Sequence, residues 1–181
     1  MNKVLRTLMY SDLFIMSSFG LIQPIFAIFM IKQIGGATTT AVGMAVAIQL
    51  FTKSILQILV AKWADEEKGN CRELYTLIAG SIVISAIPLG YVFASSITQI
   101  YLIQFIYGIG QALSFPSWRV IFTSYVNADK AGYEWGMYDT VVNLGTATAA
   151  TMGGYFADMY SFHYLFIFVC IMSFIGTSFL T

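Results

Sequence analysis

Long apolar runs, each near the length that crosses a bilayer, determine what this chain can fold into. Because a helix rises about 1.5 Å per residue, about 20 apolar residues span the hydrocarbon core of a membrane. Six runs approach or exceed that length: residues 8–31, 41–61, 74–94, 97–117, 135–156 and 164–181. Hydrophobic residues make up 58% of the chain, against about 45–50% in soluble domains. The pattern predicts an all-α membrane protein with six transmembrane helices.

A charged turn separates the second and third runs and helps to orient the chain. More than half of residues 61–73 are Lys, Arg, Asp or Glu, in a chain that is 10% charged overall. Cytoplasmic loops of membrane proteins carry an excess of Lys and Arg. With a cytoplasmic N-terminus, Lys32 lies outside and the remaining cations beyond the runs lie inside: Lys3, Arg6, Lys62, Lys68, Arg72, Arg119 and Lys130. We therefore expect a multi-pass protein of the plasma membrane with both termini in the cytoplasm.

Two matching segments indicate an internal repeat. Gly43 and Asp65 bracket the second run and are 22 residues apart, and Gly136 and Asp158 bracket the fifth run at the same spacing. A three-helix unit repeated once places the second copy upside down in the membrane, an arrangement typical of transporters. The sequence therefore predicts a single bundle, residues 1–181, built from two inverted repeats, residues 1–95 and 96–181. Chance recurrence of small residues is the alternative.

Three short motifs resemble those of one transporter family and occur in its order along the chain. The turn after the second run resembles G-x-L-a-D-r-x-G-r-[RK], the fourth run resembles R-x-x-x-G-x-G, and the fifth resembles G-x-x-x-G-P-x-x-G-G. Over residues 19–179 the chain is similar to the N-terminal six-helix half of the major facilitator superfamily. The matching positions are Asp65, Gly69 and Arg72 in the turn, Gln104 (in place of Arg), Gly108 and Gly110 in the fourth run, and Gly145, Gly153 and Gly154 in the fifth.

The resemblance implies where each helix lies. Helices 1, 2, 4 and 5 of the family line a central cavity, while helices 3 and 6 lie outside it. Glycines such as Gly108, Gly110, Gly145, Gly153 and Gly154 are expected to permit close helix packing. In the turn, Asp65 is expected to accept hydrogen bonds from the start of the third helix or to pair with Arg72, with a solvated charge as the alternative.

Lys53 is the least expected residue within the apolar runs. It lies nine residues before Lys62, hence about 13 Å inward along the helix. A cation at that depth costs about 2.5–3.5 kcal/mol on insertion scales unless it is paired or hydrated. Two interpretations stay open: a substrate or coupling contact in a wet cavity, or a structural ion pair or a side chain that extends to the cytoplasmic surface. Its candidate partners are Asp12 and Asp139.

Neutral polar residues complete the set of candidates for substrate or coupling contacts. A polar stripe along the second helix faces either a cavity, which we favour, or another helix, where a hydrogen bond contributes about 0.6 kcal/mol. Asp139 could carry a proton, hold a cationic substrate or, as we favour, pair with Arg119 or Lys53. The candidates are Lys53, Gln49, Gln57, Gln23, Gln104, Gln111, Asp139, Asn143 and Asp12.

Functions other than transport have little support in the sequence. His163 is the only histidine, and no carboxylate pair at ligand spacing accompanies it, so we expect no metal site and no acid–base catalysis. The sequence also contains no Gly-rich phosphate loop. We therefore expect a protein that is not an enzyme and binds no cofactor. The net charge is zero, which gives nucleic acid no basic surface to bind. The expected partners are the lipid bilayer and a small-molecule solute.

The length of the chain raises two hypotheses about its role. Alternating access in the family moves two six-helix bundles about a site between them, and this sequence supplies one bundle. We therefore expect a half-carrier that pairs as a homodimer or with a separately encoded second half. The alternative is a non-transporting membrane protein, or a fragment of a longer reading frame, that retains the fold.

Overall fold

The computed structural model describes residues 2–66 and 71–181, apart from the side chains of Asp65 and Asp158. Regular structure in these residues is helical. The helices are α1 (Lys3–Ile22), α2 (Phe26–Gln33), α3 (Thr39–Asp65), α4 (Cys71–Phe93), α5 (Ile97–Tyr125), α6 (Ala131–Met159) and α7 (Phe162–Ser178), with a 3₁₀ turn over Ala128–Lys130. The chain therefore folds as an all-α protein, as the sequence predicted.

Pro24 divides the first apolar run into two helices. We expected one helix over residues 8–31, whereas α1 ends at Ile22 and α2 begins at Phe26, with the two axes bent by 46°. Proline donates no backbone hydrogen bond and its ring clashes with the preceding turn, so a helix bends there. The fourth predicted run ended at residue 117, but α5 continues to Tyr125, because a helix can extend beyond the apolar stretch that defines a predicted span.

Judged by length and composition alone, few of the described helices are both long enough and apolar enough to cross a membrane. Among the described residues, Thr39–Ala64 of α3 and Cys71–Phe93 of α4 meet them, and the bent α1–α2 pair adds a third if it counts as one span. Helices α5 and α6 have 29 residues each, but glutamine, tyrosine, threonine and glycine dilute their hydropathy. Helix α7 is apolar and has 17 residues. The six-span topology therefore stays a prediction.

The helices pack in a continuous series that leaves α3 and α6 at its two ends. Helix α3 packs on α5, α5 on α4, α4 on α7, α7 on α1, and α1 on α6, while α1 also touches α5. Helices α1 and α5 thus form the floor of a groove whose sides are α3 and α6. Helices α4 and α7 lie behind that floor.

Two apolar clusters stabilise the bundle at opposite ends. At the proximal end, where α1 and α6 begin and α5 ends, the cluster contains Leu5, Leu8, Leu77, Trp118, Ile121, Phe122 and Leu180. At the distal end, where α1 ends and α5 begins, a larger cluster includes Phe29, Met30, Tyr91, Ile100, Phe166 and Val169. Because lipid is as apolar as these side chains, close van der Waals packing is what stabilises such clusters in a membrane.

Glycines let α5 approach both of its neighbours closely. A Cβ atom at Gly108 would lie 2.7 Å from the carbonyl oxygen of Gln49 on α3, and one at Gly110 would lie 3.0 Å from Val83 on α4. Neither position has room for a side chain without movement of the neighbour. Both glycines lie where their helix meets another, as close packing requires.

On α6, two of the three singled-out glycines face α1. A Cβ atom at Gly145 would overlap the side chain of Ser17, and one at Gly153 would overlap the carbonyl oxygen of Leu21. Gly154 does not pack closely as expected, because no described part of the chain outside its own helical turn lies within 4 Å of its Cβ position. One residue along a helix turns the side-chain direction by about 100°, so Gly154 faces away from α1 and does not contribute to this contact.

Candidate functional site

A cavity of about 800 Å³ occupies the groove between α3 and α6. Its lining comes mainly from α1, α3, α5 and α6, with Phe26 from α2 and Tyr91 from α4. None of the described lining residues belongs to α7. The walls are thus built by the helices that correspond to spans 1, 2, 4 and 5, the arrangement that the family resemblance implied.

Most of the polar residues singled out from the sequence line this cavity. Gln57 does not: it lies about one helical turn beyond Lys53 and lines a second groove, between α3 and α5, together with Lys62 and Pro116. The cavity brings together these candidates: Asp12 on α1 and Gln23 just after it, Gln49 and Lys53 on α3, Gln104 and Gln111 on α5, and Asp139 and Asn143 on α6.

Within the part of the chain that the structure describes, Lys53 has an aromatic partner and no acidic one. Its ammonium nitrogen lies 3.7 Å from the centroid of the Phe115 ring, well inside the range of a cation–π interaction. Asp12 and Asp139 were its expected partners, but no ion pair within 4 Å joins Lys53 to an acid of the described chain. The reason is the helix order, since Lys53 is on α3 and the two acids are on α1 and α6, across the groove.

Asp12 is bound by a tyrosine that the sequence analysis did not single out. The hydroxyl of Tyr138 on α6 donates to a carboxylate oxygen of Asp12 at 2.7 Å, and Asp12 is 9% exposed. Asp139, next along α6, is exposed. The ion pair expected between Asp139 and Arg119 is not formed among the residues that the structure describes.

Glutamine side chains connect helices along the cavity wall. Gln49 on α3 donates through Nε2 to Oε1 of Gln111 on α5 at 2.5 Å. Gln104 donates to the hydroxyl of Tyr91 on α4 at 3.2 Å. Its own Oε1 is buried and accepts no hydrogen bond from the described residues. A buried acceptor without a donor costs about 1–3 kcal/mol.

An aromatic part of the wall was missed from the sequence. The ring of Trp118 lies 4.7 Å from the ring centroids of both Phe122 and Tyr138, and Trp118 and Trp135 line the cavity. A signal for Trp118 was present in the sequence: Gln104, Gln111 and Trp118 recur every seven residues, which places them on one face of a helix. Arg119, considered before as a cytoplasmic cation and as a partner for Asp139, also lines the cavity.

The turn between α3 and α4 is described only in part. Gly69 and the side chain of Asp65 lie outside the described residues, and so do the contacts expected of Asp65. Arg72 donates from Nη1 to the carbonyl oxygen of Trp63 at 3.2 Å, and its guanidinium lies 5.0 Å from the Trp63 ring centroid. Arg72 thus connects the start of α4 with the last turns of α3.

The cavity has the character of a ligand site. Apolar and aromatic side chains form much of its wall, and a small number of amides, acids and cations converge from different helices. Such a mixture is typical of pockets that bind and orient small molecules. Charged residues of opposite sign stand on opposite sides of the groove, with Lys53 and Arg119 on α3 and α5 and Asp12 and Asp139 on α1 and α6.

Comparisons with known proteins agree with this architecture. The in meso crystal structure of the POT family transporter PepTSo matches with a TM-score of 0.81 at 15% sequence identity. The match covers 99% of this chain and 37% of that transporter, so the chain spans little more than a third of the length of the solved protein. The TM-score shows that the two proteins share a fold, and at 15% identity the match shows the fold alone. No curated protein matches the chain.

The family follows from the sequence match over nearly the whole chain. The profile described as Major Facilitator Superfamily matches residues 8–181. The match includes the apolar runs, the turn after α3 and the helices that form the groove. Together with the fold, it confirms the resemblance drawn from the motifs and identifies a transporter-like, multi-pass membrane protein. The chain belongs to the Major Facilitator Superfamily.

Proposed function

We propose that this chain is one half of a secondary carrier, which pairs with a second bundle and moves a small solute by alternating access. The groove between α3 and α6 is the observation that carries the proposal. It holds a cavity of about 800 Å³ with polar and charged lining, and it needs a second wall to become an enclosed path. The described helices do not supply that wall, since α3 and α6 stand at the two ends of their packing series.

The pattern of helix contacts supports six spans arranged as two inverted repeats. Exchanging the first three proposed spans (α1 with α2, α3, α4) for the last three (α5, α6, α7) turns the α3–α5 contact into the α6–α1 contact. The same exchange turns α4–α5 into α7–α1, and all four contacts are present. Two related units would produce this symmetry. The distribution of Lys and Arg favours cytoplasmic termini in this arrangement, and we propose the plasma membrane as its location.

Helices α3 and α6 are the proposed contacts with the second bundle. Only 6% of the most apolar window of α3 is buried within the chain. Nothing lies within 4 Å of the Cβ positions of Gly43 on α3 and Gly136 on α6, the two glycines that match in the sequence repeat. The second bundle would be another copy of the chain, related by a twofold axis, or a separately encoded half.

Access of water to the groove from both sides of the membrane tests the proposal without knowledge of the solute. Cys71 and Cys170 are first replaced by alanine, and Gln49→Cys then places a single thiol in the groove wall. We expect a membrane-impermeant maleimide to label this thiol in right-side-out and in inverted vesicles. The matched control is Ile171→Cys on α7, whose native side chain is 55% exposed, and which lipid should protect on both sides.

Counting bundles in the same vesicles completes the test. Stepwise photobleaching at low protein density should show two bundles in each particle, either two copies of the chain or one copy with a co-expressed second half. Particles that contain one bundle, or a Gln49→Cys thiol that reacts from one side only, would contradict the proposal. Either result would support the alternative of a membrane protein that retains the fold and does not transport.

A further inference from the structure

The groove contains equal numbers of positive and negative residues, held apart from one another. Its charged lining consists of Lys53 and Arg119 from α3 and α5, and Asp12 and Asp139 from α1 and α6. No ion pair within 4 Å joins any of them in the described chain. At about 1.5 Å per residue, all four lie within about 20 Å of the proximal helix ends. The groove is therefore positive on one side and negative on the other at similar depth.

The positive side has no acid to neutralise it within the described chain. Lys53 is positioned by the ring of Phe115, 3.7 Å from its ammonium nitrogen, and Arg119 lies near enough for the two positive charges to repel each other. A carboxylate between these two side chains would relieve that repulsion and form charge-assisted hydrogen bonds.

Two further buried polar atoms in the wall have no partner in the described chain. They are Nε1 of Trp118, which can only donate, and Oε1 of Gln104, which can only accept. Trp118 is 8% exposed and Gln104 is 4% exposed, so bulk water does not readily satisfy either. Because a buried polar atom without a partner is costly, a ligand that offered an acceptor to Trp118 and a donor to Gln104 would satisfy both atoms if their side chains turned toward the groove.

We infer that the groove binds a zwitterionic solute, with its anionic group between Lys53 and Arg119 and its cationic group beside Asp139 and Asp12. The inference rests on the proposed function in one respect, that the groove is the solute site. An anion alone would leave the negative charges of α1 and α6 without a counter-charge. A cation alone would leave the positive charges of Lys53 and Arg119 without one. A solute that carries both charges compensates each side at once.

The ligand class is tested by binding to the full chain in lipid nanodiscs. The probes are straight-chain ω-amino acids of increasing length, β-alanine, γ-aminobutyrate and ε-aminocaproate, each compared with its N-acetylated form and its carboxamide. At least one zwitterion should bind, and both singly charged forms of that probe should bind about tenfold more weakly or worse, since each loses one charge-assisted contact. Equal affinity of the three forms, or no binding by any zwitterion, would overturn the inference.

Variants assign each end of the ligand to one side of the groove. In Lys53→Gln the zwitterion should lose its advantage over the carboxamide, and in Asp139→Asn it should lose its advantage over the N-acetylated form. Lys62→Gln, on α3 but outside this cavity, and Asp129→Asn, on the 3₁₀ turn before α6, are the matched controls and should keep both preferences. A loss of both preferences in every variant, controls included, would contradict the assignment.

Failure of this inference is separable from failure of the proposed function. Binding is measured on the chain itself and does not require pairing or flux. If particles contain two bundles and a groove open to both sides but show no selectivity for zwitterions, the carrier proposal is supported and the zwitterion inference is wrong. If particles that contain one bundle bind zwitterions selectively, the zwitterion inference is supported and the carrier proposal is wrong.

Discussion

Ser85 of α4 connects two helices at a depth where water is absent in a membrane. Its hydroxyl lies 2.8 Å from that of Ser173 and 2.9 Å from that of Thr177, both on α7. On the neighbouring face of α4, Thr76 makes a 2.6 Å contact with Ser117 of α5. Paired hydroxyls satisfy one another in apolar surroundings and allow close helix approach. These contacts join α4 to both of the helices that flank it.

Replacement of Ser85 by alanine should destabilise the bundle modestly. Interhelical hydrogen bonds in membrane proteins contribute about 0.6 kcal/mol each, so the loss of two should cost about 1 kcal/mol. Unfolding in mixed micelles as the fraction of sodium dodecyl sulfate rises measures this change. Ser124→Ala is the control, because the Ser124 hydroxyl bonds only to the carbonyl of Val120 in its own helix. A similar loss in both variants would mean that the α4–α7 bonds carry no special weight.

The bond from Tyr138 to Asp12 should couple the two residues energetically. Hydrogen bonds to charged groups contribute about 1.5–3 kcal/mol, and a buried acceptor left without its donor is costly. Tyr138→Phe should therefore destabilise the protein by about 1–3 kcal/mol, and much less when Asp12 is already Ala. A double-mutant cycle by the same unfolding measurement gives the interaction energy. Strictly additive effects would show that the 2.7 Å contact contributes little.

At the scale of helices, the close approach of α1 and α6 depends on glycine at particular positions. Gly153 meets the backbone carbonyl of Leu21, whereas the adjacent Gly154 meets nothing within 4 Å. A backbone atom cannot move aside as a side-chain end can, so an added methyl group at Gly153 must push the two helices apart. Adjacent residues of the same type therefore have opposite structural roles.

The two alanine substitutions should separate these roles. Gly153→Ala should destabilise the protein by about 1–3 kcal/mol through overpacking, while Gly154→Ala should be neutral or stabilise it by up to about 1 kcal/mol through helix propensity. The midpoint of unfolding in detergent, measured for both variants side by side, tests the difference. The same sign of change for both would contradict the α1–α6 contact at Leu21.

The sequence predicted the helical elements better than their partners. Apolar runs and the charged turn predicted six helical regions, because these signals are local. The bond between Asp12 and Tyr138 joins residues 126 positions apart, and no local pattern predicts that pair. Lys53 was singled out as unusual for a span, but its contact with Phe115 depends on the packing of α3 against α5. Spacing alone gave Gly153 and Gly154 the same role, since it did not determine which of them faces α1.

For the whole molecule, the series of helices leaves an incomplete wall. An outer helix of a self-contained bundle exposes one side to lipid and buries the other, whereas α3 is almost unburied along its most apolar window and α6 has an open face at Gly132 and Gly136. Lipid can cover apolar side chains but does not close a groove that contains Lys53, Arg119 and Asp139. A second bundle seated on α3 and α6 would place these charges inside protein and water.

Bulk added at Gly136 should therefore block pairing without disturbing the fold. Apart from its own helical turn, no described part of the chain lies within 4 Å of its Cβ position, so Gly136→Trp has room inside a single chain but would project into a partner. We expect the unfolding midpoint to change little and Förster transfer between separately labelled bundles in liposomes to fall to the level of random proximity. Ile171→Trp, at the exposed face of α7, places the same indole away from the groove and should leave transfer unchanged. Transfer that persists in Gly136→Trp would place the contact between bundles elsewhere, and the groove would then lack the second wall that a carrier requires.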